Sequence, residues 1–286
     1  MRALILTVLT ALCGTAYAQP FLRSQRAGLG RDTVDYQRRI AAGRLASGSE
    51  LQPPAIGLIR DSAGSLRRVL GVRANFILGG RMEDEVEAVA SWGQTGLLKT
   101  RAALHVLDAT GRITNSTPAP RGAALLGFTR SGGPAAVFFL ETGELRLWRR
   151  GGWRRQPVQL DGEVVAVSGG AGPSVLLVLR RRDQYWKTEL AAGTGLAMRE
   201  EMLPGVDLPL LLLPDERLLF HDGCGLVLRR RSGHETPVPA PPSIAAMAPA
   251  ARGWVHLSGT GHQTDLMLRL DAADLSLYHL PKGGSR

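Results

Sequence analysis

Residues 208–238 read LPLLLLPDERLLFHDGCGLVLRRRSGHETPV. Four short runs, 208–213, 217–221, 225–230 and 234–238, are apolar or alternate apolar with polar residues, and Pro, Asp, Gly or Ser punctuates the chain between them. Runs of this kind read as strands joined by tight turns, because Gly and Asp accept turn geometry and Pro interrupts a ladder. The same set of four recurs on both sides. Upstream stand 86–92, 97–101, 103–108 and 112–117, then 123–129, 135–140, 144–149 and 153–158, then 164–168, 174–179, 184–191 and 196–202. Downstream stand 244–248, 253–258, 265–270 and 275–280. The turn between the third and fourth run falls at 108–111, 150–152, 192–194, 232–233 and 271–274, about forty residues apart each time.

One small four-stranded sheet cannot cover both of its faces, so a unit of about 40 residues with four strands packs against copies of itself around an axis. The expected fold is therefore all-β, a β-propeller. A two-sheet sandwich has no reason to repeat its turns at a fixed interval. The punctuation appears once more at 61–64, between 56–60 and 66–70, which raises the count to six blades: five complete repeats and an N-terminal partial blade. Residues 75–78 or the chain before Pro54 are expected to complete that blade. The innermost strands should include 88–90, 123–126, 164–167, 210–213 and 244–247.

Within 208–220, Pro214, Asp215, Glu216 and Arg217 stand between two apolar strands. This segment resembles the Pro-Asp-Gly-Arg unit of TolB-like and YVTN-like bacterial propellers, with Glu216 where the glycine usually stands. The corresponding turns at 130–133 and 249–252 depart from that pattern. The resemblance implies a fold and no substrate.

The ends of the chain add an address. Arg2, the apolar run 3–12 and the exit Ala16-Tyr17-Ala18 match a secretory signal cleaved before Gln19. The expected organisation is a signal peptide at 1–18, an arm or linker rich in Arg, Gly, Ser and Ala at 19–54, and a propeller at 55–286, placed in the periplasm or secreted. Leu12 is not the small residue that lipid attachment at Cys13 would want. The run 3–12 is too short to span a bilayer, which takes about 20 residues. Cleavage would leave Cys224 alone, which excludes a disulfide framework and a Cys-rich metal site. Cys224 itself is expected to be a half-buried small apolar residue.

The formal net charge is +10, and the only lysines are Lys99, Lys187 and Lys282. A basic surface attracts anionic envelope polymers and membranes at long range. Nucleic acid is not an expected partner, because aromatics are few and no nucleic-acid-binding motif is present. A monomer without cofactor or metal is expected.

Motifs of propeller enzymes are missing: there is no Ser-x-Asp-x-Gly-x-x-Trp turn, and the five tryptophans share no blade position. The glycines at 132–133 and 169–172 lack the following helix that phosphate cradling needs. Site candidates therefore come from position in the blade. The second-to-third loops and the loops to the next blade share one face, which is expected to gather Glu83, Asp84, Glu200, Glu201, Asp222, His262 and Asp265. Carboxylates around a channel mouth could hold a divalent cation or a cationic or sugar ligand. The opposite rim is expected to gather Arg149, Arg150, Arg154, Arg155, Arg229, Arg230 and Arg231 for contact with an anionic surface. The leading expectation is a non-catalytic module binding a protein, glycan or envelope polymer. The alternative is a hydrolase or lyase acting at the carboxylate-rich mouth.

Overall fold

Alternating apolar runs closed by glycine turns build an all-β structure of six antiparallel sheets, each made of strands consecutive in the chain. The computed structural model describes residues 54–72, 75–241, 243–259, 265–271 and 275–281. The 1–18 signal, most of the 19–54 arm and the candidate His262 lie outside the described residues.

Among the described residues blade 1 has three strands, β1 (Ala55–Arg60), β2 (Leu66–Val72) and β3 (Asn75–Glu83). Blade 2 is β4 (Val86–Trp92), β5 (Thr95–Thr100), β6 (Ala103–Asp108) and β7 (Ile113–Pro118). Blade 3 is β8 (Ala124–Phe128), β9 (Pro134–Phe139), β10 (Glu144–Arg149) and β11 (Gly152–Gln156). Blade 4 is β12 (Glu163–Gly169), β13 (Ser174–Arg181), β14 (Gln184–Ala191) and β15 (Ala197–Leu203). Blade 5 is β16 (Asp207–Leu212), β17 (Leu218–His221), β18 (Leu226–Arg229) and β19 (Glu235–Val238). Blade 6 is β20 (Ile244–Ala251), β21 (Trp254–Gly259), β22 (Asp265–Arg269) and β23 (Ser276–His279).

The five repeats thus fall where the turn spacing puts them, and the first strand of every blade lines one central channel. Their inner positions are filled by buried Val, Leu, Ala and Phe, and the core clusters run from each blade into the next. Blade-to-blade burial therefore supplies the hydrophobic free energy that a lone four-stranded sheet lacks.

Inner strands of blades 2 to 4 run the same way: Gly93 after β4 meets Gly132 after β8, and Gly127 near the end of β8 meets Val167 and Ser168 near the end of β12. The strand β1 runs opposite. Its Leu58 amide donates to Ser91 Oγ (3.3 Å) near the end of β4, and Arg60 Nε donates to the Val86 carbonyl (2.5 Å) at the start of β4. By direction β1, β2 and β3 are therefore the second, third and fourth strands of a blade. The turn at 61–64 is a second-to-third turn and lies on the other face from the one its punctuation suggested. The local chemistry is the same in either place: Asp61 accepts from the Ala63 and Ser65 amides, and Gly64 has φ +79°. Residues 75–78 do help to complete blade 1, as part of its outermost strand β3.

Blades 1, 2 and 6 are fastened at this seam by Ser91, whose hydroxyl accepts from Leu58 N and donates to the Ala250 carbonyl. Gly57 makes the close approach possible, since a Cβ there would stand 1.8 Å from Ala250 O. Outside it, Phe76 of blade 1 packs edge-on against Trp254 and Tyr278 of blade 6, with centroids 5.5 Å away in each case.

Candidate functional site

The reversed first strand has a consequence for the channel. Its turn brings Arg60, Asp61 and Ser62 to the mouth where the other inner strands begin, beside Glu87, His256, Ser258 and Asp265. Below this polar ring the channel is walled by half-buried apolar side chains, among them Ala88, Leu126, Val165, Leu211 and Met247. The cavity measures about 390 Å³.

Each carboxylate of the ring is already committed. Glu87 sits at a shift of register between β4 and β5, where a bulge turns one extra residue out of the ladder. Its Oε2 accepts from Lys99 Nζ at 2.6 Å, and Lys99 also donates to the Thr100 carbonyl. The Lys99 side chain is fully buried. Asp61 accepts from Ser65 N (2.8 Å), Ala63 N (3.0 Å) and Arg67 Nε (2.6 Å). Partial burial by itself raises the Asp61 carboxyl, but the Ser65 amide and the Arg67 guanidinium outweigh it and hold the group below its ordinary value. Asp265 Oδ1 lies 3.1 Å from Nε2 of the buried His256.

Arg60 differs from these groups. Its Nε is tied to the Val86 carbonyl, yet its guanidinium has no carboxylate within ion-pair distance among the described residues. Ser258, His256 and Asp265 are the residue types of a nucleophilic triad, but Ser258 Oγ donates to the Ala246 carbonyl at 3.4 Å instead of to His256.

The carboxylates expected at this face are dispersed. Asp265 alone lines the channel. Glu83 and Asp84 are exposed in and after the end of β3, and Asp84 accepts from Ser65 Oγ at 2.6 Å. Glu200 and Glu201 are not in a loop; they stand in the outermost strand β15 opposite Thr188 and Lys187. There the Arg181 guanidinium holds Glu200, and the Lys187 ammonium holds Glu201, below the ordinary carboxylate value. Asp222 accepts from the Cys224 and Gly225 amides and closes its own turn. Cys224 is exposed in that turn, not half-buried.

The arginine rim divides in two. In blade 5, Arg229 pairs with Glu235 at 2.7 Å and Arg231 approaches Glu216 at 3.6 Å, leaving Arg230. In blade 3, Arg149, Arg150, Arg154 and Arg155 are all exposed, and none has an ion pair among the described residues. Arg154 and Arg155 belong to the outermost strand β11, not to the turn.

Among the described residues no group of three or more His, Cys, Asp or Glu could hold a metal ion, and no helix is long and apolar enough to cross a membrane. No protein-family model and no curated protein matches the sequence. Solved structures do match in fold. A protein of unknown function from Bacteroides caccae is 11% identical with a TM-score of 0.52, over 80% of this chain and 94% of that one. The β-propeller domain of Swd1 from Myceliophteria thermophila is 13% identical with a TM-score of 0.41, over 82% and 90%. PorZ, a surface component of the type-IX secretion system of Porphyromonas gingivalis, is 14% identical with a TM-score of 0.43, over 82% of this chain and 39% of that one.

Proposed function

We propose that the chain is an exported, non-catalytic binding domain whose channel mouth seats an acidic or carboxy-terminal segment of a protein partner. One observation carries the reading: among the described residues Arg60 is a cation without a carboxylate partner at the mouth of an apolar channel, in a ring whose acids are already engaged. A ligand that places an apolar side chain in the channel and a carboxylate on Arg60 satisfies both features. Guanidinium and carboxylate match in charge and geometry. Export rests on Arg2, the apolar run 3–12 and the exit at Ala16-Tyr17-Ala18.

The commitment of Glu87, Asp61 and Asp265 to fixed partners favours recognition over acid–base chemistry, since a general acid or base must reach the substrate's proton. The test uses two sets of short peptides with apolar last residues, identical except that one ends in a carboxylate and the other in an amide. The carboxylate set should bind about ten- to a hundredfold tighter, the range of a charge-assisted hydrogen bond. Arg60→Gln should abolish that preference. Equal binding of both sets, or an unchanged preference in the variant, contradicts the reading. Cleavage of bound peptide would replace it with a hydrolase acting at the same mouth.

A further inference from the structure

The structure assigns a second binding surface, independent of the channel: the β10–β11 hairpin of blade 3 as the seat of an anionic polysaccharide chain. The hairpin reads WRRGGWRR over 148–155. Its two turn residues, Arg150 (φ 50°) and Gly151 (φ 75°), both take the left-handed region, the type I′ geometry that suits a two-residue hairpin. Trp148 and Trp153 face each other across the strands with centroids 5.1 Å apart, and both pack on the core. The tip is therefore rigid, and four exposed arginines without ion pairs among the described residues project from it.

The register decides how those charges are arranged. Arg149 and Arg154 share the face of Leu147, which packs toward blade 4, whereas Arg155 stands opposite Arg146 on the other face. The charges thus wrap around a protruding edge and do not form one plane. A flat bilayer would meet only part of the set. A flexible polyanion can follow the edge. Next to it an open groove of about 810 Å³ runs between β11 and the turn after β14, lined by Arg155, Gln156, Thr194, the exposed Leu196 and Glu144, whose charge Arg146 neutralises at 2.6 Å. Its Gln156 is held in place, accepting from Gly193 N (2.9 Å) and donating to the Pro157 carbonyl (3.1 Å). A groove with a guanidinium and the exposed Thr194 hydroxyl at its edge suits a hydroxyl-rich chain bearing sulfates or carboxylates. Nucleic acid is disfavoured because both tryptophan rings are packed inward, so the hairpin offers no ring for base stacking.

The test is affinity for dextran sulfate and for polygalacturonate across a salt series, with neutral dextran, phosphatidylglycerol vesicles and single-stranded DNA as parallel probes. The blade 3 variant carries Arg149→Ser, Arg150→Asn, Arg154→Ser and Arg155→Ser; asparagine is chosen because it tolerates the left-handed turn. The control carries Arg230→Ser and Arg231→Ser in blade 5, and a third protein carries Arg→Lys at 149, 154 and 155. Wild type, control and lysine variant should bind the acidic polysaccharides, whereas the blade 3 variant binds at least tenfold more weakly. By analogy with single-stranded polyanions, its slope of log affinity against log salt should be shallower by about 3. Circular dichroism and melting temperature check that each variant is folded; should the serine variant unfold, the comparison of Arg154→Ser/Arg155→Ser with the control decides. Absence of polysaccharide binding by wild type at low salt, or equal loss in the control, overturns the proposal. Tighter binding to vesicles or to DNA than to the polysaccharides overturns the assignment of the ligand.

Discussion

Lys99 is the residue with the most to lose. Burying an ammonium costs several kcal/mol, and the cost is offset here because Glu87 Oε2 and the Thr100 carbonyl accept its hydrogen bonds. Glu87→Gln should therefore destabilise the protein by about 3–5 kcal/mol, read as a shift in the urea midpoint, since it leaves a buried charge unpaired. The double variant Glu87→Gln with Lys99→Met should recover most of that loss, because a packed apolar side chain replaces the ion. A double variant as unstable as the single one would show that the pair does not act as a unit. The lysine was visible in the sequence as a charge inside the run Leu97-Leu98-Lys99-Thr100, and its strand was legible. Its partner was not, because Glu87 is set by a bulge and bulges leave no fixed mark in a single sequence. Glu216 illustrates the opposite case. It stands where the resembling motif has glycine, and it takes the glycine-like φ of 68°.

Strand β1 shows what a hairpin can conceal. The period of about forty residues located all five complete repeats, because turn glycines and the alternation of apolar residues both act within one blade. The direction of β1 depends instead on contacts with Ser91 and Ala250, which lie far along the chain, so the 61–64 turn was placed on the wrong face. Arg60 was missed as a site residue for the same reason. The seam itself can be tested by chemical denaturation. Ser91→Ala should cost about 1–3 kcal/mol, the penalty for leaving the buried Leu58 amide without an acceptor. Gly57→Ala should cost at least the roughly 1–3 kcal/mol of overpacking, because its Cβ would meet the Ala250 backbone oxygen. Wild-type stability in both variants would mean that the ring closes by other contacts.

Charge across the whole molecule separates into groups that neutralise one another and groups that do not. Glu200 and Glu201 looked like ligand groups from their order in the sequence, yet the sheet puts them opposite cations in an outer strand. The arginines of 149–155 and of 229–231 looked alike, yet among the described residues Arg229 and Arg231 are paired and none of the first set is. Blade position is legible in a repeat; cross-strand partners, which decide whether a charge is available, are not. A protein partner at the channel mouth and export from the cytoplasm are the two proposals to be tested together. The most direct measurement installs a photo-crosslinking amino acid at Ser62, in the mouth, and a control at Ala109, in a turn on the opposite face, and irradiates living cells. An adduct is expected from Ser62 but not from Ala109, lost on Arg60→Gln, in which mass spectrometry finds this chain starting at Gln19. Equal crosslinking from both positions, or adducts formed only by a chain that retains Met1, would contradict the proposals.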